Sequence, residues 1–132
     1  MTAPSQRSIL HICVREVIRP LRDQILRITG YKVESTSKYT EALTLFQTRP
    51  FDLVLVDVEG DEGVRAAERL CSEIKTIHHG QLLAFVCNWR IASLTDCPDE
   101  IVRTEFDPEA FVQGVHKIFA QHPEAGAGDA QL

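Results

Sequence analysis

Asp57 closes the run Phe51-Asp52-Leu53-Val54-Leu55-Val56-Asp57. A largely apolar run of strand length ended by one carboxylate reads as a central strand that carries an acid to the edge of a sheet. In open α/β sheets, ligands and chemistry gather at the carboxyl ends of such strands. A carboxylate in that place can accept a phosphoryl group, which is mainly a matter of positioning and charge neutralisation. It can also help to hold a cation such as Mg²⁺, which is usually bound through one or two carboxylates and phosphate oxygens. Either task calls for further charged groups nearby. Glu59, two residues on, and Glu16, after the first apolar run, are the candidate second acids. Arg15 would repel a cation if it points inward. Alternatively, it would pair directly with Asp57 and lock one conformation without phosphate.

The elements that must position these groups follow from the hydrophobic pattern. Strand-like runs cover 8–14, 31–35, 52–57, 81–87 and, more weakly, 101–104. Between them, Ile18, Leu21, Ile25 and Ile28 repeat at helical spacing, with Gly30 placed to end that helix. Tyr39, Ala42, Leu43 and Phe46 mark a second helix that stops before Pro50. Val64, Ala67, Leu70, Cys71 and Ile74 mark a third, ending near Gly80. The segment from Asn88 to Asp99 predicts a short or irregular fourth helix, limited by Pro98. The last helix starts at Asp107 as N-cap with Pro108 in its first turn, and presents Phe111, Val115, Ile118 and Phe119. This alternation calls for a doubly wound parallel α/β sheet of five strands, and the flavodoxin-like order 2-1-3-4-5 suits its length.

The chain of 132 residues fits one domain, read as residues 8–121 with a disordered tail at 122–132. Its composition, 44% hydrophobic and 25% charged, is that of a soluble globular protein. No apolar run is long enough to cross a membrane, and the N-terminus lacks a secretory signal, so a cytoplasmic location is expected. The net charge of −5 argues against a general nucleic-acid-binding surface. Cysteines 13, 71, 87 and 97 show no C-x-x-C spacing and are expected to be free thiols. Cys13 and Cys87 end the first and fourth strands, with the third between them. Two strand spacings, about 9–10 Å, are too far for a disulfide. They read as two small buried thiols or, more sharply, as a soft-metal or redox site with Asp57. His11 reads as a partly buried or satisfied histidine. His78 and His79 fall in a loop with no third metal ligand in view. Trp89 reads as cover for the short fourth helix or as an aromatic anchor for a partner.

From Ile9 to about Ala120 the chain resembles the receiver domain of bacterial two-component response regulators (the CheY-like family). Residues 51–57 resemble that family's third strand with its phospho-accepting aspartate. Gly63 resembles the glycine that opens the third helix. Phe106-Asp107-Pro108-Glu109-Ala110-Phe111 resembles the end of the family's K-P-F-x-x-x-x-L segment. The departures are equally specific. The family's acid pair after the first strand is replaced by Cys13 and Val14. Its Thr or Ser at the end of the fourth strand corresponds to Val86, and its Lys-Pro pair to Thr104-Glu105. Of the usual active-site positions only the aspartate is kept. Asp57-Val58-Glu59 also bears a faint likeness to the D-x-D of haloacid-dehalogenase-type phosphatases, but there is no room for that family's other motifs. An enzyme is therefore not expected.

The resemblance implies a stand-alone, atypical receiver in phosphorelay signalling. A histidine kinase or another signalling protein would be its partner, and Asp57 the phosphoacceptor beside a degraded Mg²⁺ site. Added charge would bias the face formed by the fourth helix, fifth strand and last helix, which could also form a homodimer. The alternative is a phosphorylation-independent scaffold or dimerisation module, a pseudo-receiver. Both readings stay open on the residues alone.

Overall fold

The computed structural model describes residues 6–88, 96–104 and 107–125, with the backbone alone at 61 and 62. Five parallel strands form one sheet: β1 (Ser8–Ile12), β2 (Lys32–Thr36), β3 (Leu53–Asp57), β4 (Leu83–Cys87) and β5 (Glu100–Arg103). Their order is β2-β1-β3-β4-β5, as the alternation of elements suggested. Among the described residues, four helices connect or flank them: α1 (Ile18–Ile28), α2 (Tyr39–Thr48), α3 (Gly60–Ile77) and α4 (Pro108–Gln121). The fourth helical segment expected between β4 and β5 falls mostly at 89–95, with Trp89, outside the described residues.

Strand side chains alternate between two cores. Leu10, Ile12, Val54, Val56, Leu83 and Phe85 pack under α2 and α3. Ile9, Leu53, Leu55, Ala84 and Val86 pack under α1 and α4. β3 and β4 are buried along their whole length, as continuous apolar runs in a parallel sheet require. The stripes read for α2, α3 and α4 all face these cores.

The ends of α1 and α4 show how local sequence fixes their limits. At Gly30, φ is +108°, and Tyr31 N–H donates to the Leu26 carbonyl while Gly30 N–H donates to that of Arg27. This is the Schellman arrangement that a glycine past a helix end allows. Asp107 accepts hydrogen bonds from the amides of Glu109 and Ala110, and Pro108 occupies the first turn. α4 lies so close to β5 that a Cβ at Gly114 would sit 2.6 Å from a Val102 methyl carbon.

Several expectations are corrected. Gly63 does not open α3. The helix begins at Gly60, whose φ of +68° makes the turn after β3. Residues 122–125, expected in the tail, form a turn that packs on the domain. Ala125 touches the α1/α4 core, Arg7 donates to the carbonyls of Pro123 and Ala125, and His122 pairs with Glu100. Cys71 and Cys97, expected to be thiols, form a disulfide joining α3 to the segment before β5. Their Cα atoms are 6.3 Å apart, within reach of a bridge although their spacing in sequence is 26.

The largest correction concerns α1. Its buried residues are Arg22, Asp23 and Leu26, whereas Leu21 is 60% and Ile28 74% exposed. Of the row Ile18, Leu21, Ile25 and Ile28, Leu21 and Ile28 lie outward, alongside Val17, itself 75% exposed, while Ile25 packs against the α1/α4 core. The reason lies across the interface. The sheet under this helix carries His11 and Asp57 among its apolar side chains, and Asp23 and Arg22 turn inward to meet them, beside Leu26.

Candidate functional site

Asp57 stands at the carboxyl end of the central strand, opposite Val86 of β4 in register and 2% exposed. A carboxylate so buried must be paired. Arg15, on the loop between β1 and α1, donates from Nη2 to Oδ1 at 2.9 Å. Arg22, on α1, pairs through Nη1 with Oδ2. Both carboxylate oxygens therefore face guanidinium groups. Arg22 is buried and lies over the Phe111 ring, its carbon 5.0 Å from the centroid. Burial, reinforced by Arg15, lowers its pKa to about 10. It stays charged at neutral pH, and contact with Asp57 favours that form. The Arg15 side chain is 28% exposed, so its end of the cluster reaches solvent.

A second polar cluster adjoins the first on the same face of the sheet. His11 is fully buried, and its Nδ1 lies 2.7 Å from Asp23 Oδ1. Ser35 of β2 donates to the other oxygen of Asp23 at 2.5 Å. Burial pushes the His11 pKa down, against the pull of Asp23, so the ring is neutral and Nδ1–H donates. Burial works to raise the pKa of Asp23, but hydrogen bonds from His11 and Ser35 outweigh it and hold the carboxylate low. The other ring nitrogen, Nε2, is buried without a hydrogen-bond partner.

Cys13 follows His11 by two residues and lies on the same side. Its amide donates to the Thr36 carbonyl, and its thiol makes a long 3.7 Å contact to the Arg15 carbonyl. Burial raises its pKa, so it is a thiol rather than a thiolate. Cys87, suggested as its partner in a soft-metal site, belongs to the core under α2 and α3. The period-two alternation of a strand places it on the opposite face from Asp57, so the Cys13–Cys87–Asp57 combination is not built.

The remaining candidates are more dispersed. Glu16 and Glu59 are both exposed, and the groups paired with Asp57 are Arg15 and Arg22. Val14 is exposed and Val86 buried in the α1/α4 core. Thr104 is buried, its hydroxyl 3.4 Å from the Asp107 carbonyl. His78 and His79 are exposed. Sequence reasoning missed Arg22, Asp23 and Ser35. The available signal was His11 itself: a histidine inside a buried strand needs a polar partner, so the adjacent helix had to turn a charged residue toward the sheet.

This donor set is poor for Mg²⁺. Cys13 and Val14 provide no hard oxygen, and two guanidinium groups already neutralise Asp57. A separate open cleft of about 640 Å³ lies at the other end of the sheet, lined by Phe51, Gln81, Asp99 and His122 among others.

No protein-family model matches the chain, and no curated protein matches it in sequence. Solved structures do match. The chemotaxis response regulator CheY4 of Vibrio cholerae superposes with a TM-score of 0.74 at 16% identity, over 86% of this chain and 99% of that one. A CheY-like receiver domain from Methanospirillum hungatei gives 0.73 at 24% identity, over 91% and 99%. The response regulator TrrA, solved in complex with the histidine kinase ThkA, gives 0.71 at 23% identity, over 86% and 98%. TrrA from Thermotoga maritima has also been solved in complex with Mg²⁺ and BeF. The strand order, the central aspartate and these superpositions together establish that the chain has the CheY-like fold of response-regulator receiver domains.

Proposed function

We propose that this protein is a receiver-fold signalling module that works without phosphorylation of Asp57, a pseudo-receiver. Its partner would be a histidine kinase or another protein of two-component signalling. One observation carries this reading: Asp57 is buried and both of its oxygens are ion-paired, to Arg15 and Arg22. Phosphoryl transfer to a carboxylate needs a free oxygen, a metal to neutralise the incoming charge and a way in for the donor. Here the arginines occupy the place of that metal, and Cys13 and Val14 replace the acids that would hold it. Arg15 and Arg22 supply the electrostatic role internally, so the strand-end loop is held in one arrangement without an added phosphate. Val86 and Thr104 support the same conclusion. Val86 offers no hydroxyl to sense a phosphoryl group at the end of β4, and Thr104 offers no ammonium to bind one.

The competing reading, Asp57 as a phosphoacceptor with an unconventional metal site, draws on the partial exposure of Arg15. Intact mass after incubation with a small phosphodonor separates the two. The experiment is run with and without Mg²⁺ or Mn²⁺, beside Asp57→Asn. The expected result is no mass increase from a fully folded protein. Gain of one phosphoryl group, lost in Asp57→Asn, would overturn the pseudo-receiver reading.

A further inference from the structure

We propose that His11, Cys13 and Asp57 form a binding site for a thiophilic divalent cation, with Zn²⁺ the best-fitting ion, which enters as the Arg15 guanidinium leaves Asp57. This rests on the reading above and names an input that could act on Asp57 in place of phosphate.

The three residues are buried, and each offers a donor atom within 4.8 Å of the other two. The topology makes this so. His11 and Cys13 lie on one side of the β1 line, β1 neighbours β3, and Asp57 ends β3 on that same side. An imidazole nitrogen, a sulfur and a carboxylate oxygen together make a donor set that suits Zn²⁺, whereas Mg²⁺ takes only the oxygen among them. Three protein ligands would leave a fourth position open.

His11 is already arranged as a metal ligand. Its Nδ1–H is held by Asp23, and Asp23 is held by Ser35, which fixes the tautomer and the ring plane. Histidines that ligate metals are usually oriented by such a carboxylate. The nitrogen this leaves for a ligand, Nε2, is buried without a hydrogen-bond partner. A buried acceptor left unsatisfied is costly, so the site gains by taking a cation.

The arginines are the competing cations, and a charge count shows how they can be accommodated. In the metal-free protein, Asp57 carries −1 and Arg15 and Arg22 carry +1 each. Binding Zn²⁺ releases the Cys13 proton to solvent, so the ion and its thiolate together add one positive charge. That equals the charge removed when Arg15 swings out. Arg15 is the group able to leave, because it sits on a loop and its side chain already reaches solvent. Arg22 is buried against Phe111 and keeps its pairing with Oδ2, leaving Oδ1 for the metal. Tetrahedral Zn²⁺ donors stand about 3.3–3.8 Å apart. The donors must therefore draw in by up to about 1.5 Å, which departure of the Arg15 guanidinium from Asp57 Oδ1 allows. The Cys13 thiol contact to the Arg15 carbonyl is lost in the same step, so metal entry is coupled to movement of the loop.

Titration of the full chain with Co²⁺ tests this, followed by the sulfur-to-cobalt charge-transfer absorption in the near ultraviolet. One ion should bind per chain, and Zn²⁺ should abolish the band by displacing Co²⁺. Cys13→Ser should lack the band and Cys87→Ser should keep it. Arg15→Gln, which removes the competitor, should bind about tenfold more tightly. No band in the folded protein, or a band that survives in Cys13→Ser, would overturn the proposal. If Cys13→Ser does not fold, an Arg15→Gln affinity equal to that of the parent overturns it instead. The phosphodonor experiment fails or succeeds independently. A protein that takes neither phosphate nor Co²⁺ keeps the pseudo-receiver reading and loses this one.

Discussion

On the face covered by α2 and α3, the strands present Leu10, Ile12, Val54, Val56, Leu83 and Phe85, and the helices answer with Phe46, Ala67, Leu70 and Ile74. On the face covered by α1 and α4, the same strands present His11 and Asp57 beside Ile9, Leu53 and Leu55, and α1 answers with Arg22 and Asp23. The first face is held by apolar burial together with a disulfide from Cys71 of α3. The second places charges inside and must satisfy each of them. Apolar packing tolerates small errors of position, whereas a buried charge pair depends on both partners being present. The difference teaches where this fold keeps its capacity to change. Among the described residues the buried charges lie on the α1/α4 face, and these are groups whose state a proton, a cation or an anion can alter.

The largest expected effect breaks the charged face. Asp57→Asn leaves two guanidinium groups without their carboxylate, one of them buried, and should cost about 3–5 kcal/mol in urea unfolding. Combining Asp57→Leu with Arg22→Met should recover much of that loss, because an apolar pair of similar volume often replaces a buried ion pair at little cost. If the single variant is as stable as the parent, the two faces are not built differently in the sense argued here.

A smaller effect probes the apolar face. Reducing the Cys71–Cys97 bridge should lower stability by about 2–4 kcal/mol, chiefly by freeing the unfolded chain. The near-ultraviolet signature of the core should persist, since Cys71 lies among apolar neighbours that do not depend on the bridge. Collapse of tertiary structure on reduction would show that the disulfide, rather than packing, holds this face.

The third effect sharpens the comparison by pH. In metal-free protein with chelator present, His11 has a folded pKa below its usual 6.5, so the unfolded chain binds the proton more readily. Its contribution to stability is complete above pH 6.5 and falls as pH drops from there toward the lowered folded value. Asp23, itself held by Ser35, meets the ring at Nδ1, and the charges of Arg22 and Arg19 add to the lowering. The decline should be read from urea midpoints across pH 7 to 5. His11→Gln should flatten that part of the profile if it folds. A flat profile in the parent would show that His11 is not held neutral.

Much of this architecture was legible in the residues, and the illegible part has a common cause. β3 and β4 were visible because continuous apolar runs of strand length have few other uses, and Asp57 was visible because a lone acid ends one of them. α4 announced its start through Asp107 and Pro108, since capping chemistry is local. α1 misled. Its row of Leu21, Ile25 and Ile28 keeps helical spacing, yet Leu21 and Ile28 stay exposed while Arg22 and Asp23 go inside. Helical period says that a face is apolar but not which face the neighbouring element will meet.

The sequence by itself determined the alternation of strands and helices, the central position of Asp57 and the presence of Cys13 and Val14, which offer no hard oxygen ligand, after the first strand. These depend on period, on capping residues and on residue identity, all of which are local. Only the tertiary structure decided that Arg22 reaches Asp57, that Asp23 holds His11, that Cys87 lies across the sheet from Cys13, and that Cys71 meets Cys97. Each of these joins residues on different elements. Their meeting is set by how a helix rotates about its own axis and which side of a strand faces it, and that choice is made by the whole core at once.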